Sequence, residues 1–171
     1  MMRKLWNNQT GASKHRRRLV PVVAILALGF AGTGTGSAGA ATRSLPFASL
    51  VSGSVSGPDA SGAFSLTATG IATELGRVSY AGSGQVTGNV NGVLTDTLTE
   101  TLTGTNGDSL TLRCHQTANP KGPGVYDAMD QWTVIGGTGR FSHASGSGAG
   151  VTHINLNAHT FTKASIGTIA K

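Results

Sequence analysis

Apolar and polar residues alternate in short runs over most of the chain after residue 40, as they do in β-strands, whose side chains point alternately to two faces. These runs are rich in Val, Thr and Ser, and Gly, Pro, Asn or Asp residues separate them about once every dozen residues. No stretch keeps the apolar spacing of an amphipathic helix over three turns. This rhythm predicts a β-sandwich or a β-barrel.

The pattern predicts eight strands with mostly short connections. Asn and Gly tolerate the positive φ angles of tight turns, so residues 89–92 and 106–108 predict hairpins, whereas Pro120 and Pro123 predict a longer loop. Short connections favour antiparallel pairing, and an even-stranded meander removes its exposed edges by closing on itself. The predicted fold is therefore all-β, an eight-stranded antiparallel up-and-down β-barrel. Its predicted strands cover residues 47–56, 63–73, 77–87, 93–103, 109–116, 128–135, 147–157 and 160–170.

The fourth predicted strand carries two acids on its apolar face. Because strand side chains alternate between two faces, its three leucines share a face with Asp96 and Glu100. A buried carboxylate is costly unless it is paired or hydrogen-bonded, so an inward acid would be a candidate polar group in a pocket. The leucines are Leu94, Leu98 and Leu102.

Three arrangements of this strand are consistent with the sequence. In the first, leucines and acids line the lumen, and burial raises the pKa of the acids unless a donor such as Arg113 pairs with them. In the second, a bulge near Thr97 turns both acids outward. In the third, the threonine face lies inward and the leucines form a subunit interface. The first arrangement predicts that at least one of Asp96 and Glu100 is buried and hydrogen-bonded.

Residues 1–40 have the parts of a bacterial-type signal peptide. A basic segment precedes a twelve-residue apolar run, residues 19–30, and Ala38-Gly39-Ala40 forms an A-x-A cleavage signal. The alternative is an uncleaved anchor, but the run is shorter than the ~20 residues that span a bilayer. The sequence therefore predicts a secreted domain, residues 41–171, with no stable membrane span after cleavage.

The basic character of the chain belongs to this leader. The chain has 13 Lys and Arg residues against 7 Asp and Glu residues, but six of the basic residues precede residue 41. The remaining domain is formally neutral and has no basic cluster, so nucleic-acid binding is disfavoured.

Patterns for metal, cofactor and nucleophilic chemistry are weak. Cys114 is the single cysteine, and its neighbour His115 would point to the opposite face of a strand, so a buried structural thiol is expected. The histidines lack zinc-ligand spacing, the glycine run lacks the Lys-Ser/Thr ending of a phosphate-binding loop, and no G-x-S-x-G elbow occurs. We expect no metal and no cofactor.

Residues 132–146 form the most distinctive segment. A β-run from Trp132 ends in three glycines within four residues, which permit a tight reversal, and Phe141 is expected to plug one end of the barrel. The string Gly136-Gly137-Thr138-Gly139-x-Phe141-x-x-Ala144-x-Gly146 resembles the glycine-rich motif of dirigent proteins and allene oxide cyclases. It is more similar still to small secreted bacterial proteins with an allene-oxide-cyclase-like barrel.

That resemblance implies an eight-stranded barrel with a central apolar cavity, often assembled as a homotrimer in the plant relatives. Plant dirigents steer the coupling of phenoxy radicals, and the cyclases close a fatty-acid-derived epoxide ring. Only the glycines, Phe141 and Ala144 carry over, and their role in the family is architectural. The pocket acids and tyrosines of the plant proteins have no matching motif in this chain.

Two functions are consistent with these observations. The first is a secreted, non-catalytic barrel that binds a small apolar or aromatic ligand or serves as an extracellular scaffold, since eight strands enclose packed side chains or one small ligand. The second is a cyclase-, isomerase- or dirigent-like protein that guides a reactive intermediate, with Asp96 or Glu100 supplying charge and Trp132 an apolar wall. The family resemblance implies a homotrimer or another homo-oligomer, and the sequence itself does not specify the oligomeric state. A lumen filled by large side chains would leave only the scaffold.

Overall fold

Eight strands follow one another around a closed antiparallel barrel in the computed structural model, which describes residues 43–171. The predicted barrel is therefore confirmed, and the predicted signal peptide, residues 1–40, lies outside the described residues. The last strand pairs with the first, so the barrel has no unpaired edge. The strands are β1 (Ser44–Ser56), β2 (Ala63–Ala72), β3 (Gly76–Val90), β4 (Val93–Gly104), β5 (Ser109–Gly122), β6 (Val125–Thr138), β7 (Ser145–Asn155) and β8 (Thr160–Ala170).

The two predicted hairpins lie where the Asn and Gly residues indicate. Asn91 and Gly92 connect β3 to β4 with φ angles of 52° and 83°, the positive pair that a two-residue turn of type I′ requires. Gly107 has a φ of 87° in the turn between β4 and β5. The two turns therefore lie at the two ends of β4, the strand that carries the two acids, and fix its register with β3 and β5.

The prediction of a longer loop around Pro120 and Pro123 is wrong. β5 continues to Gly122 and β6 begins at Val125, so only two residues separate them. The register shifts between Pro120 and Gly122, and such a bulge tolerates a proline, which has no N–H group for the strand ladder.

The two ends of the barrel are built differently. One, here called the closed end, carries the connections that follow β2, β4 and β6, and the last of these contains a short 3₁₀ turn, Gly139–Phe141. Phe141 is fully buried there and belongs to the same core cluster as Leu75 and Leu110, in agreement with the expected plug. The opposite end, here called the open end, carries the other four connections. The part of the chain that the structure describes has no helix with the length and apolar content that crossing a membrane requires.

Candidate functional site

A cavity of about 50 Å³ enters the lumen from the open end. Its walls are apolar, and its deepest part is polar, with one lysine and two acids among the lining side chains. We call this deep polar part the floor. The rim includes Pro58, Leu94, Tyr126 and Leu156, and the floor consists of Asp96, Glu100, Gln116, Thr152 and Lys163.

β4 sends both of its acids into this lumen. Asp96 is 6% exposed and Glu100 is 1% exposed, and Leu98 and Leu102 are buried on the same face. The alternation continues through Thr97, and the only nearby register shift lies in β3, between Val86 and Gly88. The inward arrangement is thus confirmed, and neither the bulge in β4 nor the subunit interface formed by its leucines occurs.

Glu100 is the centre of a buried hydrogen-bonded cluster. The Tyr80 hydroxyl donates a hydrogen bond to Glu100 Oε1 at 2.7 Å, and the Lys163 ammonium donates to the same oxygen. Lys163 Nζ also lies 3.2 Å from Asp130 Oδ1. Arg113, named above as an example of a donor that could pair with these acids, lies on the outer face of β5 and is exposed, and Lys163 takes that position instead.

Lys163 and Asp130 are the two buried charged residues of this cluster that the sequence analysis did not identify. Lys163 alternates with Phe161 and Ser165 on the inner face of β8, and Asp130 alternates with Trp132 on the inner face of β6. The period-two pattern was the available signal, because it places each charged side chain on the same face as a buried neighbour.

The charged groups in this cluster shift one another's pKa values. Burial by itself lowers the pKa of Lys163, but the Glu100 and Asp130 carboxylates outweigh it and raise that pKa above its usual value, so the ammonium form persists. Burial also raises the pKa of Asp130, and Lys163 offsets part of that increase. Neither Asp130 oxygen makes a hydrogen bond of acceptable geometry within the described residues. The 3.2 Å approach to Lys163 is therefore a charge contact and not a full hydrogen bond.

Asp96 is the floor carboxyl with the weakest pairing. Burial raises its pKa to about 7, with Lys163 opposing the change and the charges of Asp130 and Glu100 adding to it. Its hydrogen-bonding neighbour is Gln116, whose amide nitrogen lies 3.1 Å from Asp96 Oδ2 when the amide satisfies both of its neighbours. The other end of the amide lies 3.4 Å from Thr152 Oγ1. Asp96 can therefore exchange a proton near neutral pH.

Cys114 does not contribute a nucleophile. It is fully buried, His115 points to the opposite face, and burial strongly raises the pKa of the thiol, so the reactive thiolate is suppressed. Its Sγ lies 3.9 Å from Lys163 Nζ, where it packs beside the charged cluster. The expected buried structural thiol is confirmed.

Trp132, the third predicted ligand-binding residue, does not line the cavity. It lies on the closed-end side of Asp130, with its ring 5.4 Å from that of Phe47 in an edge-to-face arrangement. Its indole nitrogen donates a hydrogen bond to the Ala149 carbonyl at 3.2 Å. The structure thus brings Asp96 and Glu100 together at the floor and separates Trp132 from them.

The glycine-rich segment forms the closed end and is distant from the cavity. Gly139 has a φ of 59°, and a Cβ atom there would meet the Asp108 side chain. Arg140 Nε donates to Asp108 Oδ2 at 2.6 Å, and its Nη2 donates to the Glu74 carbonyl at 3.0 Å. The segment therefore closes the barrel and ties three loops together.

Comparisons with protein-family models, curated proteins and solved structures find no match for this chain. No group of three His, Cys, Asp or Glu side chains is placed to hold a metal ion within residues 43–171. The cavity with its acidic floor is the arrangement from which a function can be argued.

Proposed function

We propose that the barrel binds a small, mostly apolar molecule at its open end, with one polar group of that molecule against the floor. The contrast between the apolar wall and the polar floor of the cavity supports this proposal. Apolar side chains such as Leu66 and Ile154 form the wall, and the polar groups converge at one depth around Asp96 and Glu100. A few convergent polar groups in an apolar cleft are typical of small-molecule sites.

The size of the cavity narrows the class of ligand. A cavity of about 50 Å³ holds a few water-sized groups, whereas a cavity of ~150 Å³ is known to admit benzene. The enclosed volume therefore holds the end of a narrow alkyl chain, with the rest of that chain between the rim residues, but not a whole aromatic ring. Within the expected class of apolar or aromatic ligands, we favour the aliphatic members.

A titration with 1-hexanol, followed by amide chemical shifts of the full chain, tests this proposal. Ala118 is a buried residue of the cavity wall, and Ala118→Leu fills part of the space. We expect the substitution to weaken hexanol binding about tenfold or more, as a methylene-scale misfit does.

Ala164→Leu is the matched control, because Ala164 lies on the outer side of the barrel wall between two inward neighbours. It should leave hexanol affinity unchanged. The proposal is wrong if shifts at the open end are missing in the wild-type protein, or if both variants bind hexanol equally well.

Proton transfer in the cavity is the second candidate function, in line with the cyclase- or isomerase-like alternative. Asp96 supports it, because a carboxyl with a pKa of about 7 is matched to acid–base work at neutral pH. Exchange of the α-hydrogens of 2-butanone in D₂O, measured by NMR, tests it. Exchange should be faster with the wild-type protein than with Asp96→Asn, and equal rates would exclude Asp96 as a base.

We also propose that the chain is exported and processed before Ala41. The support is the A-x-A tract that ends at Ala40. N-terminal sequencing of protein from culture supernatant should begin at or near Ala41. Recovery of the uncleaved chain in a membrane fraction would contradict this proposal.

A further inference from the structure

Negative groups outnumber positive ones inside the barrel. The buried charged side chains of the described residues are three acids, Asp96, Glu100 and Asp130, and one base, Lys163. From this imbalance, in which two acids of the floor and Asp130 beside it face Lys163 alone, we infer that the ligand carries a protonated primary amine, so that the preferred ligand is a short alkylammonium ion. The inference rests on the proposed function, since it names the polar group that meets the floor.

The pairing pattern identifies where the amine sits. Lys163 directs its ammonium at Glu100 and Asp130. Asp96 lines the cavity, but its hydrogen-bonding neighbour is the neutral amide of Gln116. Asp96 is therefore the carboxylate without a cation of its own, and it faces the space that a ligand enters. An ammonium group beside it would supply the missing positive charge.

An ammonium head also suits the acceptors that surround this position. Its three N–H donors need oxygen acceptors, and the floor offers the Asp96 carboxylate and the Thr152 hydroxyl. Within the floor, Lys163 pairs with Glu100, and the ligand ammonium pairs with Asp96. The two acids of the floor are then matched by two positive groups.

An anionic ligand is disfavoured at the same position. A fatty-acid carboxylate on the floor would face Asp96 and Glu100, and like charges at close range repel each other. Lys163 cannot compensate freely, because its ammonium already meets two carboxylates and lies beside Cys114.

The depth of the floor sets the length of the chain. Asp96 lies two residues along β4 from Leu94 at the rim, which corresponds to about 7 Å of strand. An extended hexyl chain is at least as long as that distance, so its amine can lie on the floor while its far end lies between the rim residues.

Titrations of the full chain with n-hexylamine, 1-hexanol and n-hexanoate, followed by amide chemical shifts, test the inference. Near pH 8 we expect hexylamine to bind at least tenfold more tightly than hexanol and hexanoate to bind most weakly. Asp96→Asn should reduce the amine preference, the ratio of the hexanol Kd to the hexylamine Kd, to within about twofold. Cooperative urea unfolding and an unchanged amide spectrum at the closed end verify that the variant is folded.

Asp127→Asn is the matched control. Asp127 lies on β6 at the open end, but it is exposed and pairs with His153 and Lys121 outside the barrel. Its loss removes the same charge without touching the floor, so the amine preference should persist. If Asp127→Asn abolishes the preference as Asp96→Asn does, general attraction at the open end explains it and the inference is wrong.

The pH dependence provides a test that needs no variant. Hexylamine remains protonated up to its pKa, close to the ~10.4 of a lysine side chain, while Asp96 gains its charge near pH 7 in the field of Glu100, Asp130 and Lys163. Amine affinity should rise from about pH 5 to about pH 8.5, and hexanol affinity should change much less. Equal binding of hexanol and hexylamine overturns the inference and leaves the proposed function intact, whereas binding of none of the three probes overturns both.

Discussion

The closed and open ends of the barrel differ in where they place apolar and charged side chains. At the closed end, Phe141 fills the lumen and the charged pair of Arg140 with Asp108 lies outside on the loops. At the open end, the lumen keeps a cavity, and the charged pair of Lys163 with Glu100 lies inside. An apolar plug with exposed charges stabilises the fold, whereas charges buried beside a cavity cost stability unless they are paired.

The largest loss of stability is expected from removing the plug. Phe141→Ala leaves a hole in the buried core that also contains Leu75 and Leu110, and such changes cost about 3–5 kcal/mol. Urea unfolding followed by circular dichroism measures the loss. A cost below about 1 kcal/mol would mean that the loops, and not the ring, close this end.

At the floor, Lys163→Met should lower the free energy of unfolding by about 3 kcal/mol, because the substitution leaves the Glu100 carboxylate buried without its cation. The double variant Lys163→Met with Glu100→Gln removes the unpaired charge, so it should recover part of the stability. Urea unfolding of both proteins measures the difference. If the double variant is no more stable than the single one, the ion pair is not the reason for the loss.

The pH dependence of stability separates the two ends further. The folded-state pKa of Asp96 is raised from 3.8 to about 7, so this group favours the folded state while it is protonated. Its contribution is complete below the unfolded pKa and is lost as the pH rises from 3.8 to about 7. The unfolding free energy of the wild-type protein, relative to Asp96→Asn, should therefore fall over that range. A constant difference would show that Asp96 titrates as it does in water.

Many features of the two ends could be predicted from the sequence, because they depend on the alternation of apolar and polar residues and on backbone conformation. The inward acids of β4 follow from period two, and the plugging Phe141 follows from its place after the glycines. The partner of Glu100 could not be derived, because Lys163 lies 63 residues away and meets Glu100 only when the barrel closes. The separation of Trp132 from the cavity depends on how side chains from several strands pack across the lumen.

A smaller effect is expected from the backbone of the closed end. Gly139→Val places a branched side chain at a φ of 59° and against Asp108, so it should cost more than ~1 kcal/mol. Gly136→Val is the matched control, because no atom lies within 4 Å of a Cβ at that position. Urea unfolding compares the two. A Gly139→Val protein with unchanged stability but no hexanol binding would make the glycine motif part of the ligand site.

The smallest effect is expected from Arg140→Ala. Arg140 is exposed, and ion pairs in water contribute little, so the loss of stability should be smaller than that of Gly139→Val even though two loops lose a donor.

The pH dependence of this small effect tests its cause. The hydrogen bond from Arg140 is the largest of the contributions that lower the pKa of Asp108, and Asn106 adds to it. A lowered pKa stabilises the fold above the unfolded value of 3.8, and that contribution disappears as the pH falls through the folded pKa. Urea midpoints of the variant and the wild-type protein should thus differ at neutral pH and converge in acid. A difference that persists in acid would assign the role of Arg140 to its hydrogen bond with the Glu74 carbonyl or to its packing over the Phe141 ring, 5.7 Å away.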